Sequence, residues 1–212
     1  MMLTIYFVRH GQTAQSRENT FCGSLDVPLT DSGHRMAQAV AEHWSHLPLQ
    51  AVYASNKSRA IATATPIANK LKLPVQVDEG LREIEYGAWE GLNEDEVERA
   101  HPGAFKAWSD HPDQVPPPGG ETAIQIAERS MAAISRIRAK HGEGSVLVVS
   151  HKATLRILMC AFLGIPVGDF RRRIGMPVAG VSAVEFKSSG PLLKLLGDTT
   201  YLPEDLRGAR GT

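Results

Sequence analysis

Hydrophobic positions in this chain fall into two kinds of run that take turns along it. Residues 3–8 and 145–150 are short, β-rich and apolar at nearly every position, the pattern of strands buried on both faces of a sheet. Residues 51–54 and 74–77 read as two further short strands, and 181–186 and 192–196 as two late ones. Between them the apolar positions recur at helical spacing. Thr30 is a good N-cap for a helix to about His46 that carries Met36, Ala37, Val40, Ala41 and Trp44 on one face. A second helix is expected over 56–71, with Pro66 kinking it or ending its first half. A long one follows over 121–140, and Leu155, Leu158, Met159 and Phe162 mark another after His151.

Residues 12–30 are polar and broken by Gly23 and Pro28, and read as a loop. Periodicity is weak over 80–120, where two short helices fit at 94–100 and 104–109 before the run Pro116-Pro117-Pro118-Gly119-Gly120. A loop-rich stretch this long in a compact domain is usually functional, so 80–120 is read as an insertion capping a site. The tail, 207–212, is expected to be disordered. Strands alternating with helices predict an α/β fold: a single domain over 1–212, built as a three-layer α/β/α sandwich on a mostly parallel central sheet. Ligands in such sheets sit at the carboxyl ends of the strands. His10 and His151 each follow a predicted strand directly, and Arg59 follows another by five residues.

Composition narrows the function. Of 212 residues 42% are hydrophobic and 22% charged, with 23 Lys plus Arg against 23 Asp plus Glu. That balance removes the main driving force for wholesale nucleic-acid or anionic-membrane binding. No window approaches the roughly 20 apolar residues of a membrane helix, and MMLTIYFVRH lacks a basic leader, so a cytoplasmic protein is expected. Cys22 and Cys160 are read as thiols outside any disulfide framework. No Cys/His spacing resembles a metal site, and no metal or cofactor is expected. The late strands are candidates for pairing across a two-fold axis in a homodimer.

The residues at the strand ends suit phosphate chemistry. A phosphate monoester is doubly negative near neutral pH, so attack on it needs cations on its oxygens and a neutral, oriented nucleophile. Imidazole meets the second need at His10, and Arg9 beside it can clamp oxygens in bidentate fashion. Gly11 would let backbone approach the ligand closely. Arg59 in a helix's first turn opposes the helix dipole, a cost that a docked anion would reverse by facing both the guanidinium and free helix N–H groups. A leaving alkoxide needs a proton, and a carboxyl group beside a dianion is pushed toward carrying one. Glu83, Glu85 and Glu90 are equal candidates on composition. His151 would supply a second imidazole across the site, with helix N-cap or core histidine as the plainer reading.

Taken in order, Arg9-His10-Gly11-Gln12-Thr13, Asp26-Val27-Pro28-Leu29-Thr30, Ser55 to Arg59-Ala60, Leu81-Arg82-Glu83 with Gly87-Ala88-Trp89-Glu90-Gly91, Gly119-Gly120-Glu121-Thr122 and Val148-Val149-Ser150-His151 resemble the histidine phosphatase, or phosphoglycerate mutase-like, superfamily. The resemblance implies that His10 is the phosphorylated nucleophile, that Arg9, Arg59 and His151 complete the phosphate pocket, and that Glu83 is the proton donor. It also implies metal-independent hydrolysis of a small phosphorylated metabolite. Three positions depart from the family's habit: Ser16 where many members have Asn, Cys22 before Gly23, and Lys152 after the second histidine. Ser16, Cys22, Gly23 and Lys152 are further candidates for substrate contact. Lys152 either points into solvent or adds a cation that favours a carboxylate-bearing substrate such as phosphoserine. The short Pro/Gly-rich insertion favours hydrolysis over mutase chemistry. An α-ribazole phosphatase, a broad-specificity sugar-phosphate phosphatase and a non-catalytic phosphate-binding protein remain alternatives.

Overall fold

The computed structural model describes residues 2–209. Its elements run β1 (Leu3–Arg9), α1 (Ala14–Glu18), α2 (Asp31–Trp44), β2 (Leu49–Ala54), α3 (Ser58–Leu71), β3 (Val75–Val77), α4 (Glu94–Ala100), α5 (Ala104–Asp110), α6 (Ala123–His141), β4 (Gly144–Ser150), α7 (Lys152–Leu163), α8 (Phe170–Arg173), β5 (Val181–Lys187) and β6 (Gly190–Asp198). The strands form one six-stranded sheet in the order β3-β2-β4-β1-β5-β6. β1, β2, β3 and β4 pair in parallel, β5 runs antiparallel to β1, and β6 closes the sheet as a hairpin with β5. This is the expected α/β sandwich on a mostly parallel sheet.

Alternation within the apolar strands divides the core between the two faces. Ile5 and Phe7, Ala51 and Tyr53, and Val146 and Val148 pack with α6 and α7 on one side. Val8, Val52 and Ala54, and Leu147 and Val149 pack with α2 and α3 on the other. A strand buried on both faces shows no polar alternation, which is why these runs read as continuously apolar.

Three local expectations change. Residues 12–30 contain a short helix, α1, opened by a reciprocal capping box in which Thr13 N donates to Ser16 Oγ at 2.9 Å and Ser16 N to Thr13 Oγ1 at 3.1 Å. Helix α3 runs on past Pro66 to Leu71. Ile67 and Ala68 beyond the proline are buried, and their packing outweighs a proline cost on the order of 3 kcal/mol. In the tail, the Arg207 guanidinium donates to the carbonyls of Leu202 and Thr200, so residues 207–209 are anchored. Residues 210–212 lie outside the described residues.

Residues 80–120 add their aromatic side chains to the core on the α6 and α7 side of the sheet. Trp89 and Trp108 are buried and meet edge-on, with Phe21, Tyr86 and Phe105 around them. Gly87 has φ +55°, and a Cβ there would stand 2.1 Å from the Pro118 carbonyl oxygen, so the start of this stretch touches the Pro/Gly run at its end. Among the described residues no helix is long and apolar enough to cross a membrane.

Candidate active site

Register brings the two histidines together. Arg9 on β1 stands opposite Ser150 on β4, so the next residue of each strand, His10 and His151, leaves the sheet side by side. Adjacent strands lie about 4.8 Å apart, and the two rings sit 5.1 Å centroid to centroid. On the other side of β4, Ala54 pairs with Val149, so Ser55 arrives at the same level. Its hydroxyl lies 2.6 Å from His151 Nε2.

The His10 Nδ1 lies 2.8 Å from the Gly11 carbonyl oxygen. A carbonyl only accepts, so Nδ1 carries the proton and donates it, and Nε2 keeps the lone pair. Burial first, then the charges of Arg59 and Arg9, hold the imidazole well below its usual titration range, so it is neutral at pH 7. At Gly11 the absent side chain makes room for another stretch of backbone. A Cβ on it would meet the Gly33 carbonyl oxygen at 2.5 Å, because the start of α2 packs directly on this turn.

The Arg9 guanidinium is buried and donates to the Met176 carbonyl at 2.7 Å, with its pKa pushed down to about 10, chiefly by burial. Arg59, also buried, donates to the carbonyls of Leu25 at 2.8 Å, Gly23 at 3.2 Å and Cys22 at 3.3 Å. It thereby folds residues 22–25 over the pocket. The free helix N–H groups expected beside it are not free at the first position: Asp26 Oδ1 accepts from Ser58 N at 2.8 Å.

Glu83, Glu85 and Glu90 now separate. Glu90 accepts from the backbone N–H groups of Gly23, Ser24 and Tyr86 and is an anchor for the 22–25 turn. Glu85 pairs with Arg82 at 3.2 Å near the surface. Glu83 alone lines the pocket. Its carboxylate accepts from Ile84 N at 3.0 Å and from Ala153 N and Thr154 N at 3.2 Å, the first turn of α7. His151 occupies the N-cap position of that helix, but its side chain makes no capping bond, so Glu83 does the capping. Behind Glu83, Arg129 grips Glu121 through both nitrogens at 2.8 and 2.9 Å and donates to the carbonyls of Gly80, Arg82 and Glu83. That network fixes the backbone from which Glu83 projects.

The pocket, about 50 Å³, is walled by Arg9, His10, Thr13, Ser16, Thr20, Cys22, Arg59, Glu83, Tyr86 and Lys152. Ser16 is there, engaged in the Thr13 capping box. The Cys22 thiol, raised by burial, is half-buried. Gly23 is not in the wall: a Cβ on it would stand 1.7 Å from the Ile84 carbonyl oxygen, so its value lies in letting two segments touch. His151 is fully buried beside His10 and outside the open wall. Its Nδ1 has no hydrogen-bond partner, and burial with the Arg59 charge holds it neutral. Lys152, the first residue of α7, faces the pocket and is pushed down to about 7, by burial and then by Arg9. Ser55, Thr20 and Tyr86 escaped the sequence reading. Ser55 stood in plain view at a strand end, but a serine there is too common a turn former to single out.

Neutral imidazoles, two buried guanidiniums and one carboxyl at the carboxyl rim of a parallel sheet define a phosphoryl-handling α/β site. The chain belongs to the histidine phosphatase superfamily (branch 1), whose family model matches residues 5–199. It is similar to phosphoserine phosphatase 1 of Hydrogenobacter thermophilus, 29% identical with 96% of each chain covered. It is also similar to the glucosyl-3-phosphoglycerate phosphatase of Mycolicibacterium vanbaalenii, 32% identical over 78% of this chain and 76% of that one. Among solved structures, Bacillus stearothermophilus YhfR superposes with a TM-score of 0.89 at 31% identity, covering 95% of this chain and 100% of the other.

Proposed function

We propose that the protein is a metal-independent phosphomonoesterase that hydrolyses a small phosphorylated metabolite through a phosphohistidine on His10. The observation that carries this reading is the Nδ1–H bond of His10 to the Gly11 carbonyl, which presents a neutral Nε2 between two guanidiniums. Nε2 attacks phosphorus while the bond to the leaving oxygen breaks, and Glu83 gives that oxygen its proton. Water then attacks the phosphohistidine, returning a proton to Glu83 as the P–N bond breaks and phosphate departs. Arg9 and Arg59 neutralise the equatorial oxygens throughout. His151 donates from Nδ1 to one of them when Ser55 donates its hydroxyl hydrogen to Nε2, which makes Ser55 the residue that sets the tautomer.

Hydrolysis is favoured over transfer to a second substrate because the cap over 80–120 is short and the pocket stays open past Lys152. Phosphoserine is the first substrate candidate. It is what the Hydrogenobacter relative is named for, and its carboxylate would suit Lys152. Glucosyl-3-phosphoglycerate, α-ribazole phosphate and sugar phosphates are the others. The test is phosphate release from such a panel with EDTA present, together with trapping of an acid-labile phosphate on His10. Activity that vanishes with EDTA, or label on another residue, would sink the reading.

A further inference from the structure

A second pocket, about 110 Å³, opens beside the first and shares Thr20, Tyr86 and Lys152 with it. Three cations converge on it: Lys152 and Arg156, one helical turn apart on α7, and Arg171 on α8. The two arginines are held in place without a carboxylate. Arg156 Nε donates to the Ile174 carbonyl at 2.6 Å and its Nη2 to the Arg171 carbonyl at 2.5 Å, with the group over the Phe170 ring. The Arg171 guanidinium sits over two rings of α5, 4.3 Å from the Trp108 ring centroid and 5.1 Å from that of Phe105. Among the described residues none of the three forms an ion pair, and Glu94 is the only carboxylate in this wall.

With one carboxylate, Glu94, among three cations, part-buried like charges still repel, and both arginines sit below their ordinary range, from burial first. A chain usually avoids that cost by supplying a carboxylate. Here the aromatic faces supply weak cation–π attraction instead, leaving the guanidinium edges to an incoming anion.

We propose that this outer pocket is the specificity subsite of the enzyme and binds a second anionic group, a carboxylate or a further phosphate, on the substrate whose first phosphate lies at His10. The proposal rests on the phosphatase reading above and narrows it: neutral alkyl and sugar monophosphates are poor substrates, and phosphorylated hydroxy or amino acids, or bisphosphates, are good ones.

The test compares kcat/KM for 3-phosphoglycerate, 2,3-bisphosphoglycerate, phosphoserine, phosphoethanolamine and glycerol phosphate. The wild-type enzyme should prefer the first three over glycerol phosphate at least tenfold, mainly through KM, with phosphoethanolamine the poorest. Arg171→Met, which removes a group bonded to no other side chain, should cut the ratio of 3-phosphoglycerate to glycerol phosphate about tenfold. Lys152→Met should do the same and serves where Arg171→Met fails to fold. Propane-1,3-diol bisphosphate, added to the panel, carries a second phosphate and no carboxylate, so its arm beside 3-phosphoglycerate separates carboxylate from phosphate. Equal kcat/KM for 3-phosphoglycerate and glycerol phosphate in the wild type overturns the subsite, as does a ratio unmoved by the variants. If nothing on the panel is hydrolysed, the phosphatase reading fails. Calorimetric binding of 3-phosphoglycerate against glycerol phosphate then decides the subsite by itself.

Discussion

The two neighbouring pockets are built in opposite ways. The inner one is made by backbone: strand register sets His10 against His151, a carbonyl fixes the His10 tautomer, and helix N–H groups hold Glu83. The outer one is made by side chains reaching across from α7, α8 and α5, its arginines held over aromatic rings rather than by ion pairs. Geometry that follows from sheet register cannot be altered without altering the sheet. Geometry that follows from side chains on helix faces changes with one substitution and leaves the fold alone. Chemistry is thus placed where it is rigid, and selectivity where it is adjustable.

The sharpest way to break this contrast is at the nucleophile. His10→Ala should lower kcat by about 10⁴-fold or more on every substrate, since loss of a covalent nucleophile removes the pathway rather than a contribution to it. Phosphate release from p-nitrophenyl phosphate measures it, and a variant keeping a tenth of the activity would mean that another group attacks.

Glu83→Gln comes next. Loss of a general acid costs about 10² to 10⁴-fold, and the loss should fall on glycerol phosphate and phosphoserine, whose leaving alkoxides need a proton. p-Nitrophenolate hardly needs one, so its turnover should fall far less. Equal losses for both leaving groups would remove Glu83 from the donor role.

How far the sequence carried depends on the same contrast. Strands buried on both faces announced themselves as unbroken apolar runs, and the histidines that end two of them pointed at the rim of the sheet. What composition and spacing left open, and only the family resemblance assigned, was which of three nearby glutamates faces the pocket. That is decided by α7, whose first N–H groups take Glu83 while Glu90 is spent on the 22–25 turn. The capping helix of residues 14–18 was hidden because Thr13 and Ser16 look like loop formers until their hydroxyls are seen to exchange backbone bonds. Pro66 misled because a local penalty was weighed without the tertiary packing that overrides it. Arg156 and Arg171 were unreadable for a further reason: an arginine on a helix edge looks the same in sequence whether solvent or a pocket lies beside it.

Ser55→Ala probes the join between backbone and side chain. If the Ser55 hydroxyl sets the His151 tautomer, its loss should lower kcat about tenfold and leave KM little changed. The ring ¹⁵N resonances of His151 should move toward the other tautomer. A fall in kcat with unshifted resonances would mean that Ser55 matters only for packing.

The mildest effect expected, and one read through a residue that both pockets share, is a pH dependence. Lys152 has its pKa pushed down to about 7 by burial, then by Arg9 from β1 and Arg156 on its own helix; Glu83 acts in the opposite sense and Arg171 from α8 adds to the lowering. A lysine is charged below its pKa, so in the ligand-free protein Lys152 loses its charge as pH rises through about 7. Of the other groups around it, Tyr86 is raised by burial and stays neutral, the arginines stay charged, and Glu94 is the carboxylate of the outer wall. His10 and His151 are both neutral throughout, being held well below 6.5. The KM for 3-phosphoglycerate should therefore climb severalfold between pH 6.5 and 8 relative to that for glycerol phosphate. The second ionisation of the reacting phosphate is common to both substrates and cancels in the ratio. Lys152→Met should flatten the ratio at its high-pH value. A ratio independent of pH in the wild type would show that Lys152 does not meet the distal anion, leaving Arg156 and Arg171 to bind it without the lysine.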